Sequence, residues 1–381
     1  MLLMIPGPTN VPTRITEAMA RPMISHRGAE FHELYERILK NLKYAFQTKN
    51  DVFPITCSGT GGVECAVCNT VSKGDKFVIP TYGGFSERMM EDIVRFGGIP
   101  IEIPVEWGSA CTADDVKRVL DSDKGIKGIA IVYNETSTGV TNRELPKIGK
   151  LAKDYDKLLI VDAISILAGD YLPVDEWNID ICVAGSQKCL ACPPGLAAVS
   201  VSSKAYEAAE RNKNRPFYYD LVSHREFVKK LETPFTPAVN LYFALDEALL
   251  MLMEEGLDNR IKRHKTCAEA FYTAFEQMEL KTLAKKELRS NTLIAVYEPE
   301  NIEDKVFRDT LRKEHGITIG GGMGKLKGKL FRLGSMGIVS SREVLKTVDA
   351  IGKVLRKLNY EMNSKHEDII SGIEKMFPNS K

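Results

Sequence analysis

The sequence predicts an α/β protein, with a large domain on a mainly parallel sheet and a small α+β domain C-terminal to it. Two observations carry this. Between about residues 50 and 205 short apolar runs alternate with helical ones, and past a long helix near residue 255 the order becomes helix, strand, helix, strand, helix. Composition agrees, since 381 residues with 44% apolar and 27% charged content can bury one large core and one smaller one.

Each element follows from its local pattern. The large domain runs from "FPITCS", an apolar stretch of strand length, into "GGVECAVCNTV", which reads as a buried helix. "FVIP" with "FSERMMEDIVRF", and "GIAIVYN" with "ELPKIGKLAKDY", repeat that unit, and "LLIVDA", "DICVAGS" and "LAAVSVS" add further strands. Strands that alternate with helices pair in parallel, and such sheets bind ligands at the carboxyl ends of their strands. "VNLYFALDEALLMLMEEG" is the long helix. After it come the helix "LDNRIKRHKTCAEAFYTAFEQM", the strand "TLIAVYEP", the helix "KVFRDTLRKEHG", the strand "LFRLGSMG" and the helix "REVLKTVDAIGKVLRKL". The boundaries expected from this are an N-terminal arm over 1–14, a large domain over 15–255, a small domain over 256–360 and a tail helix over 361–381. In that tail Ile369, Ile370, Ile373, Met376 and Phe377 recur at helical spacing, which suits docking on the protein itself rather than on a membrane.

Charge and cysteine usage exclude several classes. Lysine plus arginine (52) nearly balance aspartate plus glutamate (51), so no overall field recruits nucleic acid or an acidic membrane. No run approaches the ~18 apolar residues of a membrane span, and "MLLMIPGPTN" is too short and uncharged for a signal peptide, so a cytoplasmic location is expected. Eight cysteines in a chain of this length do not make a disulfide scaffold. The pairs Cys65/Cys68 and Cys189/Cys192 have zinc-ligand spacing but lie in apolar surroundings without a compact knuckle, and they read as buried small hydrophobes with no metal.

The strand ends must then hold something else. No G-x-x-x-x-G-K-[ST] occurs, so nothing cradles a triphosphate, and "SGTGG" fails the dinucleotide fingerprint because Glu64 stands at its last glycine. What remains is a turn from Ser58 to Gly62 between a strand and a helix, whose free N–H groups and dipole suit one phosphate monoester. Asp162 ends "LLIVDA", and Lys188 ends the next strand-like segment in "GSQKCLACPPG". A carboxylate, a lysine and a phosphate cradle at neighbouring strand ends are the three fixed points that pyridoxal 5'-phosphate needs. The amine takes the aldehyde as a Schiff base, and the acid keeps the ring nitrogen protonated. Apolar neighbours favour the free amine of Lys188, which suits both imine formation and proton transfer.

These residues resemble the class V aminotransferases of fold type I, within them the alanine–glyoxylate/serine–pyruvate branch, which implies a mainly parallel seven-stranded sheet in the large domain. The resemblance runs from the N-terminus to about residue 358 and rests on "PGPTNVP", "SGTGG", "YNETSTGV", "LLIVDAIS", "GSQKCLACPPG", "TPFTPAVNLYFAL" and "LFRLGSMG". It implies a catalytic, Schiff-base role for Lys188, a bond from Asp162 to the pyridine nitrogen, and packing of Ile164 on the ring. It implies phosphate contacts from Thr60, Gly61, Gly62 and Gln187, a bond from Thr136 near the ring hydroxyl, and a further phosphate contact from Thr236 donated across a homodimer. Arg332 would grip the substrate carboxylate with a planar fork. Gly7 and the rest of "PGPTN" would border the substrate. Three positions depart from the better-known animal members: Phe85 stands where a tryptophan often stacks on the cofactor, Gly62 replaces a histidine, and Thr233 replaces a tyrosine that reaches the partner's phosphate. No peroxisomal tripeptide ends the chain, whose last residues read "FPNSK".

The reaction implied is a ping-pong transfer of an amino group from alanine or serine to glyoxylate or pyruvate. A second reading stays open. His26-Arg27 resembles a pair that helps bind substrate phosphate in phosphoserine aminotransferases, and "GKLKGK" adds three lysines just before Arg332, so phosphohydroxypyruvate or aspartate-family substrates are alternatives. Against these stands the plainer reading, solvated lysines and a shared helix-entry motif. A cysteine desulfurase of the same fold would need a mobile cysteine near residues 316 to 329, and the last cysteine is Cys267.

Overall fold

Apolar strands too short to shield themselves on both faces are stacked between helices in the computed structural model, which describes residues 1–377. The chain begins with β1 (Leu2–Met4), α1 (Thr13–Met19) and α2 (Ala29–Phe46). The α/β units follow as β2 (Asp51–Thr56), α3 (Gly59–Thr70), β3 (Lys76–Thr81), α4 (Gly84–Arg95), β4 (Ile99–Pro104), α5 (Ala113–Ser122) and β5 (Ile126–Val132). A small hairpin, β6 (Asn134–Glu135) and β7 (Val140–Thr141), precedes α6 (Leu145–Asp154), β8 (Leu158–Asp162), β9 (Ile181–Gly185) and β10 (Leu196–Val201). Next come helices α7 (Ser203–Arg211), α8 (Leu221–Val228), α9 (Val239–Glu255) and α10 (Leu257–Gln277). The last part holds β11 (Leu293–Tyr297), α11 (Asp304–His315), β12 (Ile317–Gly321), β13 (Leu330–Gly334), α12 (Ser341–Lys357) and α13 (His366–Glu374).

The large sheet has seven strands in the order β2-β10-β9-β8-β5-β3-β4. Its pairs are parallel except where β10 runs against β2 and β9. This is the mainly parallel α/β sheet that the alternating pattern predicts. The edge strand β4, "IPIEIP", escapes that pattern. Its two prolines remove ladder donors, which an edge tolerates most readily, and Ile99 is 45% exposed there.

The small sheet has the order β1-β12-β13-β11, with β1 parallel to β12 in the register Leu2 to Ile317. The first strand of the chain thus belongs to the sheet built from the C-terminal strands, and the segment after it crosses to the large sheet, where Thr9 N–H donates to the Gln187 carbonyl. Two main apolar clusters result. One covers both faces of the large sheet; the other gathers Met4, Phe271, Phe275, Phe331 and Val348 with Ile369 and Ile373 of α13. The inward face of α13 is therefore apolar, while residues 378–381 of the expected tail helix lie outside the described residues. No helix among the described residues is long and apolar enough to cross a membrane.

Candidate active site

At the carboxyl end of β8, Asp162 is 7% exposed and accepts the Ile164 N–H at 2.8 Å. Burial pushes its carboxyl up to about 7, against the pull of that N–H and of Lys188. Lys188 sits in a tight turn after the adjacent parallel strand β9, closed by Ala191 N–H on the Lys188 carbonyl at 2.9 Å and Cys192 N–H on the Ser186 carbonyl at 3.1 Å. Its amine donates to the Pro6 carbonyl. Burial brings the amine down to about 8, and the nearby Arg332 adds to this while Cys189 and Asp162 oppose it.

Gly7 makes this approach feasible. It has φ +105°, and a Cβ built there would lie 2.8 Å from the Lys188 Nζ. A side chain at position 7 would occupy the space of the amine.

The glycine turn is shaped by the same kind of close approach. Ser58 caps α3, its hydroxyl accepting Gly61 N–H at 3.4 Å, and its carbonyl accepts Gly62 N–H at 3.1 Å. A Cβ on Gly59 would strike Ile164 at 2.8 Å, and one on Gly62 would strike Val183 at 2.7 Å and Ala197 at 2.8 Å. Glycine at 62 is therefore matched to the bulk of the sheet beneath it, and no side chain in this chain could project from there. Thr60, Phe85, Asp162, Ile164 and Arg88 line one cavity above the turn. The Arg88 guanidinium lies 5.0 Å from the centre of the Phe85 ring.

Gln187 supplies a further clue. Its Oε1 is buried with no hydrogen-bond partner, while its backbone carbonyl accepts Thr9 N–H at 3.1 Å. A buried polar atom left so is expensive unless a ligand completes it.

Arg332 comes from β13 of the small sheet and is 9% exposed. Nε donates to the Gly321 carbonyl at 2.8 Å and Nη1 to the Thr136 carbonyl at 3.2 Å, with the Met323 Sδ at 3.1 Å. Among the described residues it has no carboxylate within ion-pair distance, and burial lowers its pKa to about 10. A guanidinium so placed is prepared for a carboxylate from outside.

The reading of the sequence missed Glu135. This side chain is fully buried and accepts the Ser86 N–H at 2.9 Å, the Ser86 hydroxyl at 3.1 Å and the Ser137 hydroxyl at 2.7 Å. It also faces the Phe85 N–H at 3.2 Å. One acid thereby ties the β6–β7 hairpin to the start of α4, placing Thr136 and Phe85 together. Thr136 Oγ1 itself donates to the Ser165 hydroxyl at 2.9 Å.

Thr236, His26 and Arg27 form a separate group. Arg27 donates to Glu232 at 2.7 Å, to the Thr233 carbonyl at 2.7 Å and to the Pro234 carbonyl at 3.3 Å. It thus braces the loop that carries the exposed Thr236, with His26 half-buried beside it. All four cysteines of the two C-x-x-C pairs are buried, and burial raises the Cys68 and Cys189 thiols to about 12.

The family model for class V aminotransferases matches residues 6–329. The chain belongs to the class V aminotransferases. Class V relatives span nearly its whole length: an uncharacterized aminotransferase of Methanocaldococcus jannaschii is 44% identical, over 98% of this chain and 96% of that one. A serine–glyoxylate aminotransferase of Methylorubrum extorquens is 34% identical over 90% of this chain and 88% of that protein. Among solved structures, an alanine–glyoxylate aminotransferase from Nostoc sp. superposes with a TM-score of 0.90 at 31% identity, covering 93% of this chain and 95% of that one. Membership of class V makes the protein an aminotransferase and implies pyridoxal phosphate as its cofactor.

Proposed function

We propose that the protein moves an amino group between a small amino acid, alanine or serine, and glyoxylate or pyruvate, with pyridoxal phosphate held on Lys188. The observation that carries this reading is the position of the Lys188 amine: buried, lowered toward neutrality, and within electrostatic reach of both Asp162 and Arg332. The residues also fit the cofactor. Asp162 would hold the ring nitrogen, Ile164 and Phe85 would face the ring, Thr136 would stand near its hydroxyl, and Thr60, Gly61 and the Nε2–H donors of Gln187 would meet the phosphate, with Gly62 contributing only its already bonded N–H.

When bound, the cofactor supplies an aldehyde for amines and a ring that accepts the electron pair released as Cα–H breaks. The chain supplies the rest. Lys188 Nζ carries the proton from Cα, since its lowered pKa lets it act as a base near neutrality. Arg332 Nη1 and Nη2 orient the substrate carboxylate, the former giving up the weak Met323 Sδ contact. The Pro6–Gly7 turn covers the amine and keeps water from it. Amino donor and oxo-acid acceptor use the same arginine in turn, which gives ping-pong kinetics.

Arg27 is already committed to Glu232 and two carbonyls, which favours the unphosphorylated substrates over phosphohydroxypyruvate. Thr236 sits beside an exposed aromatic group, Phe217 (85% exposed) against Phe235 at 5.1 Å, and this suits a homodimer in which the loop serves the partner's site. The test is a half-reaction screen: protein with bound cofactor is mixed with alanine, serine, phosphoserine, aspartate and glutamate, and the cofactor absorbance is followed. Rapid change with alanine or serine supports the assignment, and a response confined to phosphoserine or aspartate overturns it. Borohydride should fix the coenzyme on Lys188; failure to do so removes the cofactor assignment itself.

A further inference from the structure

We infer that the Tyr219 hydroxyl is a ligand of the cofactor phosphate, supplied from within the same chain. The inference rests on the cofactor reading above and concerns how the phosphate is held. The cradle has no charged side chain, since residues 58 to 62 are Ser, Gly, Thr, Gly and Gly. Apart from Arg88 in the same cavity, a dianion bound there meets neutral hydrogen-bond donors, so each additional donor counts.

Tyr219 reaches that cradle. A Cβ built on Gly61 would lie 2.8 Å from the Tyr219 hydroxyl and 2.9 Å from the Cys57 Cβ, so the phenol oxygen stands against the third residue of α3, in the first turn that would meet the phosphate. Its position is fixed by the backbone rather than by chance packing. The Tyr219 carbonyl accepts Asn69 Nδ2 at 2.7 Å, Leu221 N–H donates to Asn69 Oδ1 at 3.1 Å, and Cys65 Sγ approaches the same carbonyl at 3.4 Å. Asn69 is fully buried on α3, and its amide also holds the Cys65 carbonyl at 2.8 Å. The 219–221 segment is thus clamped to the body of the helix whose start it overhangs.

The chemistry of the phenol suits donation. Burial raises its pKa, so it keeps its proton. The phenol already hydrogen-bonds Cys57, a thiol raised to about 11 by burial, and a thiol is a poor acceptor. A phosphate oxygen is a far better one. Gly62 has no side chain to supplement the cradle and the Thr233 hydroxyl donates to the Phe235 carbonyl at 2.8 Å, so Tyr219 adds a donor from a different element.

The test compares affinity for pyridoxal phosphate with affinity for pyridoxal, which lacks the phosphate. Protein stripped of cofactor is titrated with each by absorbance, for the wild type, for Tyr219→Phe and for Tyr218→Phe. The Tyr218 hydroxyl bonds the Thr56 carbonyl at 3.3 Å and is not at the turn, so its variant is the neighbouring control. Tyr219→Phe is expected to weaken pyridoxal phosphate about ten-fold or more while leaving pyridoxal unchanged, as loss of a hydrogen bond to a charged group requires. Unchanged phosphate affinity, or an equal loss for both ligands, overturns the inference, as does an equal selective loss in Tyr218→Phe. If the wild type itself binds pyridoxal as tightly as pyridoxal phosphate, the fault lies in the cradle assignment, and that result is visible without any variant.

Discussion

Arg332 and Thr136 are joined by a hydrogen bond of 3.2 Å from the guanidinium Nη1 to the backbone carbonyl, and this bond links the small sheet to the hairpin of the large domain. The group expected to hold the substrate carboxylate is therefore braced by a residue expected to face the cofactor. The proposed carboxylate site and the placement of the small sheet share one side chain.

Replacing Arg332 by lysine removes the fork while keeping a cation. Michaelis constants for both amino acid and oxo acid should rise roughly 10- to 100-fold, the value of a charge-assisted bond, with cofactor affinity nearly unchanged. Steady-state kinetics beside a cofactor titration will separate the two effects, and unaltered Michaelis constants would remove Arg332 from the carboxylate site.

Asp162 links the site to pH. Its folded pKa of about 7 lies above the ordinary value of 3.8, so the folded chain binds its proton more tightly than the unfolded chain does. The penalty is absent below about pH 4, grows through the interval to pH 7, and is complete above it. Cofactor-free Asp162→Asn should accordingly melt higher than the wild type at pH 8, by the equivalent of a few kcal/mol at most, and at the same temperature near pH 4. Its turnover with cofactor should fall by at least about a hundred-fold.

Lys188 titrates in the opposite sense. With a folded pKa near 8, the free amine accumulates as pH rises through that value, so the rate at which stripped protein captures pyridoxal phosphate should climb from pH 7 to pH 9 with a midpoint near 8. Stopped-flow absorbance will show it. A midpoint at the ordinary lysine value, 10.5, would mean that the amine is not desolvated.

Gly7→Ala should be costly for its size. The added methyl meets the Lys188 Nζ at 2.8 Å on a backbone with φ +105°, so a loss of about 1–3 kcal/mol in stability and weaker cofactor capture are expected. Chemical denaturation will measure the first and titration the second.

Glu135→Gln tests the brace beneath the site. The carboxyl group accepts from Ser86, Ser137 and Phe85, and an amide would turn its own N–H toward those donors. A loss of about 1–3 kcal/mol is expected, together with a faster release of cofactor as Phe85 loosens.

Local chemistry made part of this legible. "LLIVDA" announces a buried strand ending in an acid, and "GSQK" announces a lysine where apolar residues dominate; both are where the pattern put them, at the ends of the adjacent strands β8 and β9. Alternation alone marked six strands of the large sheet and its mainly parallel pairing; the seventh, β4, escaped because its prolines disguise an edge strand, and the count of seven came only with the resemblance to fold type I. Glu135 stands inside "YNETSTGV", but its role was hidden because a buried acid among five donors differs from a solvated one only in its tertiary neighbours. Nor could three residues, Leu2–Met4, reveal that their partner would be Ile317–Ile319, more than three hundred positions away. The bracing role of Arg27 depends on a loop two hundred residues downstream and was equally hidden.

That distant pairing has a mechanical corollary. The opening strand is stitched to the small sheet, and two residues past it the Pro6 carbonyl grips the lysine amine, so the first residues are a tether between that sheet and the amine. Trimming the first six residues would therefore do more than shorten an end: it would strip an edge from the small sheet and remove the carbonyl that holds the amine.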